Sequence, residues 1–289
     1  MDGGASSQGP AGGPEGHAPS AAASDLLGRP ASEAVALLIE RYGDRLQALA
    51  RRFCRDREQA EDVVQETFLQ ALRHWDSFRG ESDPGTWLFT IASRLCARFH
   101  RKRAGEPREL ESLEALAERT FGEPQLMDPR QEPVGAGLER FEERQRLEAA
   151  IEALPEDFRL PLVLKETFGL DLETIGQALG IELGTVKSRL HRARVRLAAA
   201  LSEGQPKRDV PAPNFERRVC LDLLEAKQSA LDHGRPFDFP PGLFCERCAV
   251  VFAQLDLASD ACAHLWSEPL SQHTRQRLMA AVQGGSTGA

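Results

Sequence analysis

The chain has 289 residues, room for two or three small domains, and 36 Lys and Arg against 44 Asp and Glu for a net charge of −8. That balance excludes a polycation. Any nucleic-acid contact must come from local basic patches on an acidic body that would itself repel bare DNA.

No apolar run reaches about 18 residues, so no membrane span is expected. The first residues, MDGGASSQGPAGGPEGHAPS, lack the basic and apolar regions of a secretory signal. Six cysteines at irregular spacing read as reduced thiols or metal ligands rather than a disulfide framework. Together these predict a cytoplasmic protein.

Residues 1–30 are rich in Gly, Ala, Ser and Pro and are read as a disordered tail. Residues 31–105 then carry helical periodicity. Leu38, Tyr42, Leu46, Leu49 and Phe53 follow 4, 4, 3, 4 spacing. Asp56 and Gln59 resemble a capping box before Val63, Val64, Phe68, Leu69 and Leu72. The first turns of that helix are acidic, with Asp56, Glu58, Glu61, Asp62 and Glu66, which suits the helix dipole or a partner helix. Asp83-Pro84 gives an N-cap with Pro at the first helical position. The following helix buries Leu88, Ile91, Leu95 and Phe99. It also carries Arg94, Arg98, Arg101 and Lys102 in a separate basic row, with Trp87 and Phe89 near its start. Cations beside aromatic rings suit single-stranded DNA, where bases stack and phosphates pair with Arg.

Residues 106–140 have weak periodicity and read as a linker with a short helix near Leu110–Leu116. A second helical domain covers 141–203. Within it, Leu172, Ile175 and Leu179 make a short helix behind Asp171 as N-cap, and Gly180 fits the turn. Val186, Leu190, Ala193 and Leu197 form one stripe of the next helix. Lys187, Arg189, Arg192, Arg194 and Arg196 lie off that stripe, and no acid occurs from Gly184 to Leu201. A helix that packs with one side and shows only cations elsewhere fits the phosphate-lined major groove.

Residues 204–214 form a second linker, 215–282 a third helical unit and 283–289 a tail. Nothing alternates like a sheet, so the fold class is all-α. No Ser-His-Asp set, carboxylate pair or phosphate loop stands out, so no enzyme is expected.

The segments EDVVQETFLQALRHWDSFRG (61–80), GTWLFTIASRLCARFHRKR (85–103) and LPEDFRLPLVLKETFGLDLETIGQALGIELGTVKSRLHRARVRL (154–197) resemble the two conserved domains of extracytoplasmic-function (ECF) bacterial sigma factors. The resemblance implies a region 2 domain at 31–105 and a region 4 helix-turn-helix domain at 141–203. It implies two partners, core RNA polymerase through its β′ clamp helices and promoter DNA. Asp62 and Glu66 would face the polymerase. Trp87, Arg94, Arg98, Arg101 and Lys102 would meet the −10 strand and backbone. Thr185, Lys187, Ser188, Arg189 and Arg192 would meet the −35 element, and 106–140 would thread toward the RNA exit path. The family often has Arg-Asn where this chain has Ser93-Arg94, so the −10 preference does not carry over. A conventional helix-turn-helix regulator is the alternative; it would need no polymerase-binding domain.

In the third unit, Cys245 and Cys248 open a helix with two residues between them, within reach of one metal ion, with Cys220 on a facing helix as a third ligand. Cys262 or His233 would be the fourth, although an unbroken helix puts Cys262 about 21 Å from Cys248. Zinc or copper suits such thiols. The unit resembles zinc-binding anti-sigma domains, with Pro241 at the position of their His, and more closely the cysteine-rich domain fused to metal-responsive ECF sigma factors. That resemblance implies activity modulated by metal or redox state. Cys54 and Cys96 are expected in the core.

Overall fold

The computed structural model describes residues 21–54, 56–101, 111–127, 138–203, 205–237, 242, 244–263 and 269–284, without the side chains of 21, 99–101, 138–144 and 263. Lys102, Pro241, the side chain of Arg101 and most of the N-terminal tail lie outside the described residues.

After the single turn α1 (Ala21–Ser24), three helices make the first bundle: α2 (Ala31–Phe53), α3 (Arg57–Arg73) and α4 (Pro84–Arg101). The 4, 4, 3, 4 series of α2 faces inward, with Leu38, Leu46 and Leu49 fully buried. Asp56 caps α3, its carboxylate accepting from Glu58 N at 3.2 Å. Asp83 accepts from Gly85 N at 2.8 Å as α4 begins. Gly85 is needed there, because a Cβ would stand 2.5 Å from the Tyr42 ring.

The second bundle follows α5 (Leu113–Phe121) and the strand β1 (Gln125–Met127). It contains α6 (Leu138–Ala153), α7 (Glu156–Leu162), α8 (Leu172–Leu179) and α9 (Leu183–Ser202). Pro161 sits inside α7 and supplies no amide, and the chain widens into a π-turn over Val163–Thr167. Strand β2 (Lys207–Asp209) comes next, then α10 (Arg217–Asp232), α11 (Glu246–Ala263) and α12 (Gln272–Gly284).

The architecture is helical, with one small exception. Segments read as two separate linkers pair as an antiparallel ribbon, with Leu126 opposite Arg208. Three-residue strands leave no alternation to detect.

One continuous apolar core runs through both bundles and the C-terminal helices. The bundles meet where α8 packs on α4. At that seam Phe89 and Phe168 lie edge to face at 4.2 Å, with the Arg45 guanidinium over both rings. The C-terminal helices are not a separate appendage. Helix α11 packs on α9 and the π-turn, and α12 packs on α2 and α3.

Candidate nucleic-acid and polymerase interface

The helix-turn-helix forms as its local chemistry requires. The Asp171 carboxylate accepts from Thr174 N at 2.7 Å and from Thr174 Oγ1 at 2.9 Å, fixing the start of α8. Gly180 ends it in the left-handed region at φ 67°. Val186, Leu190, Ala193 and Leu197 of α9 are buried as a stripe.

The cations of α9 divide into different roles. Lys187 is half-buried and makes no ion pair among the described residues. Thr185 and Ser188 lie in the first turns, Ser188 Oγ donating to Thr185 O at 3.1 Å. Arg189 pairs with Asp157 of α7 at 3.2 Å. Arg192 donates to the carbonyl of Glu111, just before α5, at 3.0 Å. Arg196 lies over the Phe158 ring.

Arg194 is completely buried. Its Nε donates to Glu166 Oε1 at 2.8 Å, and its Nη1 donates to Asp232 Oδ1 at 2.6 Å and Gln228 Oε1 at 3.1 Å. His191 Nε2 stands 3.1 Å from the other Asp232 oxygen, and Ser259 hydrogen-bonds Glu166. Burial works to raise the Asp232 pKa, but His191 and Arg194 outweigh it and hold the carboxyl below the usual range. The cluster therefore bolts α9 to the π-turn, α10 and α11.

On the first bundle, Arg94 and Arg98 are exposed on α4, with no ion pair among the described residues. Ser93 beside them is buried, its hydroxyl donating to Phe89 O at 2.6 Å. Trp87 is half-buried against Trp75 and Phe78, with ring centroids 5.9 and 5.2 Å away. Phe89 is in the core. Asp62 is exposed, and Glu66 pairs with Arg73 at 3.4 Å. Both acids line a groove of about 320 Å³ whose wall also includes Arg98 of α4 and Arg277 of α12.

The three C-terminal thiols meet at one end of α10 and α11. Cys245 and Cys248 Sγ are 3.7 Å apart, and Cys220 is close enough that its charge bears on Cys248. Burial raises Cys248 to about 12, with the Cys245 charge adding to it. Burial also works on Cys245, but backbone groups of Asn214, Cys248 and Arg247 outweigh it and lower that thiol. Among the described residues no three Cys, His, Asp or Glu side chains already converge as a metal cage. Helix α11 is unbroken to Ala263, so Cys262 lies about 21 Å above Cys248. Cys262 is buried there, and Thr167 Oγ1 donates to its carbonyl at 3.3 Å. His233 caps the far end of α10, 13 residues or about 20 Å from Cys220. The structure brings neither fourth-ligand candidate to the thiols.

Comparison with known proteins supplies the frame. The family Sigma-70 region 2 matches residues 38–106, and the family Sigma-70, region 4 matches 144–197. The RNA polymerase sigma-H factor of Pseudomonas aeruginosa is 36% identical over 165 residues, covering 57% of this chain and 84% of that protein. The ECF RNA polymerase sigma-E factor of Haemophilus influenzae is 35% identical over 161 residues, covering 55% of this chain and 82% of its own. The chain belongs to the ECF RNA polymerase sigma factors. Among solved structures, the sigma factor RpoE in complex with the anti-sigma factor NepR from Bartonella quintana overlaps 56% of this chain and 92% of its own at 25% identity. The TM-score of that overlap is 0.38.

This sigma factor therefore directs promoter recognition for transcription initiation, and none of its described helices is long and apolar enough to cross a membrane. The two region matches end at residue 197, so α10, α11 and α12 lie beyond them. Sequence reasoning missed the residues that attach those helices. Arg247 of α11 donates to four carbonyls, of Phe121, Glu123, Val210 and Pro211, at 2.7 to 3.0 Å. Arg275 of α12 pairs with Glu40 at 3.1 Å and Asp44 at 2.9 Å. Neither residue has a local signal, because every partner is far away in the chain.

Proposed function

We propose that this sigma factor reads its promoter at two points while seated on core RNA polymerase. Thr185, Lys187, Ser188, Arg189 and Arg192 of α9 meet the −35 major groove. Trp87, Arg94, Arg98, Arg101 and Lys102 meet the −10 strand and its phosphates. Asp62 and Glu66 face the β′ clamp helices. The observation that carries this reading is the capped, glycine-turned pair α8–α9 following a separate helix with exposed Arg94 and Arg98. Two cationic helices on two bundles suit one duplex element and one melted element.

The test is run-off transcription with purified core polymerase. Lys187→Ala should weaken promoter binding by the equivalent of about one phosphate contact, lowering the salt slope by about 1. Arg98→Ala should reduce open-complex formation while leaving binding to duplex −35 DNA unchanged. Unchanged transcription in both variants would refute the assignment.

Cys220, Cys245 and Cys248 are proposed to hold a thiophilic ion, zinc or copper, that modulates activity. The support is chemical: three thiols at the neighbouring starts of α10 and α11, two of them in contact. Zinc bound to three thiolates would complete its tetrahedron with a ligand from outside this cluster. Elemental analysis of protein purified under reductant should find one ion per chain, lost in Cys245→Ser. A metal-free wild type after reconstitution with zinc and with copper(I) would end the proposal.

A further inference from the structure

We propose that α10, α11 and α12 form a built-in clamp that holds the two sigma domains closed, with α12 occupying the acidic face of α2 and α3 that a polymerase partner would need. This rests on the surface roles proposed above.

Charge complementarity identifies the occupant. Helix α12 reads QHTRQRLMAAVQG, with two arginines and no acid. The face beneath it presents Glu40, Asp44 and Glu61, with Asp62 and Glu66 alongside. Arg275 grips Glu40 and Asp44, and Leu270 N donates to Asp44 Oδ1 at 2.9 Å. Thr274 Oγ1 donates to Glu61 at 3.3 Å, and Arg277 donates to Gln65 at 2.9 Å. Leu278 and Val282 are buried in the seat.

The other jaw holds the DNA-reading domain. The Arg194 cluster fixes α9 to α10 and α11, so α9 cannot turn independently of them. Arg189 pairs with Asp157 of α7, and Arg192 donates to the carbonyls of Glu111 and Ser188, so both side chains are directed inward along the second bundle. Helix α8 is pressed onto α4, the helix that carries Arg94 and Arg98. A −10 element and a −35 element are held apart along a duplex, and two domains packed on each other cannot reach both. Closing therefore blocks the two-point grip, and α12 adds direct competition for α3.

The experiment uses the full chain. Arg275→Glu with Arg277→Glu places acids against the acidic face. Leu278→Asp, which buries a charge in the seat, is a second release variant. Hydrogen exchange at the amides of α2 and α12 reports whether α12 has left. Either release variant should raise core-polymerase affinity and run-off transcription by about tenfold. Restoring the charges, with Glu40→Arg and Asp44→Arg added to Arg275→Glu, should return both toward the wild-type level.

Release of α12 by exchange with no gain in affinity or transcription would overturn the clamp. So would both release variants folding with α12 still protected, since the named contacts would then not hold it. If neither wild type nor variants bind core polymerase at any concentration, the polymerase-facing role fails instead.

Discussion

Arg194 illustrates what a side chain's neighbours do to its function. By spacing it is one of five cations beside the apolar stripe of α9, yet it is wholly buried among Glu166, Gln228 and Asp232. A buried guanidinium is tolerated only when such partners surround it. Asp232 is the pH-sensitive member. Its folded pKa lies below the usual value, so its contribution is complete above about pH 4 and is lost as pH falls through the folded value. Asp232's share of the stability should therefore be lost as pH falls below about 4. Asp232→Asn should lower stability at neutral pH and flatten the acid limb, which calorimetry across pH 3 to 7 would measure. An unaltered acid limb in the variant would exclude Asp232 as its source.

At the scale of elements, the sequence was most informative where a helix is specified by its own residues. Asp56, Asp83 and Asp171 all cap, and Gly180 takes the left-handed turn, because caps and turns depend on neighbours within four residues. The apolar series of α2 and the stripe of α9 were legible for the same reason. The ribbon β1–β2 and the docking of α11 and α12 were not, because their partners are 36 to 235 residues away and leave no periodic trace. Of the candidate site, the exposed Arg94 and Arg98 could be found from charge, whereas the diversion of Arg189 and Arg192 into internal contacts could not. Arg247 is the test of how elements are joined, since it ties α11 to both strand-bearing segments. Arg247→Ala leaves four carbonyls short of a donor and should cost at least about 3 kcal/mol in urea unfolding. Exchange protection of Val210 N, which donates to Pro124 O, should fall with it.

Over the whole molecule, the net charge of −8 is distributed to a purpose. Part of the acidic surplus lies on α2 and α3, where it receives the arginines of α12, and the exposed cations of α4 remain on an otherwise repelling body. Surface pairs such as Arg275 with Asp44 are individually weak and screened by salt, so the closed arrangement depends on the shared apolar core as much as on charge. That division suits a contact that must hold in isolation and yield to a partner.

The position of α10–α12 after both sigma domains also sets an order in time. A ribosome delivers the promoter-reading bundles first and the segment from Phe215 to Gly284 afterwards. At about 5–20 residues per second, those 70 residues take roughly 4–14 s to make. Under the clamp proposed above, the two reading domains of the nascent chain are made before the helices that would hold them closed.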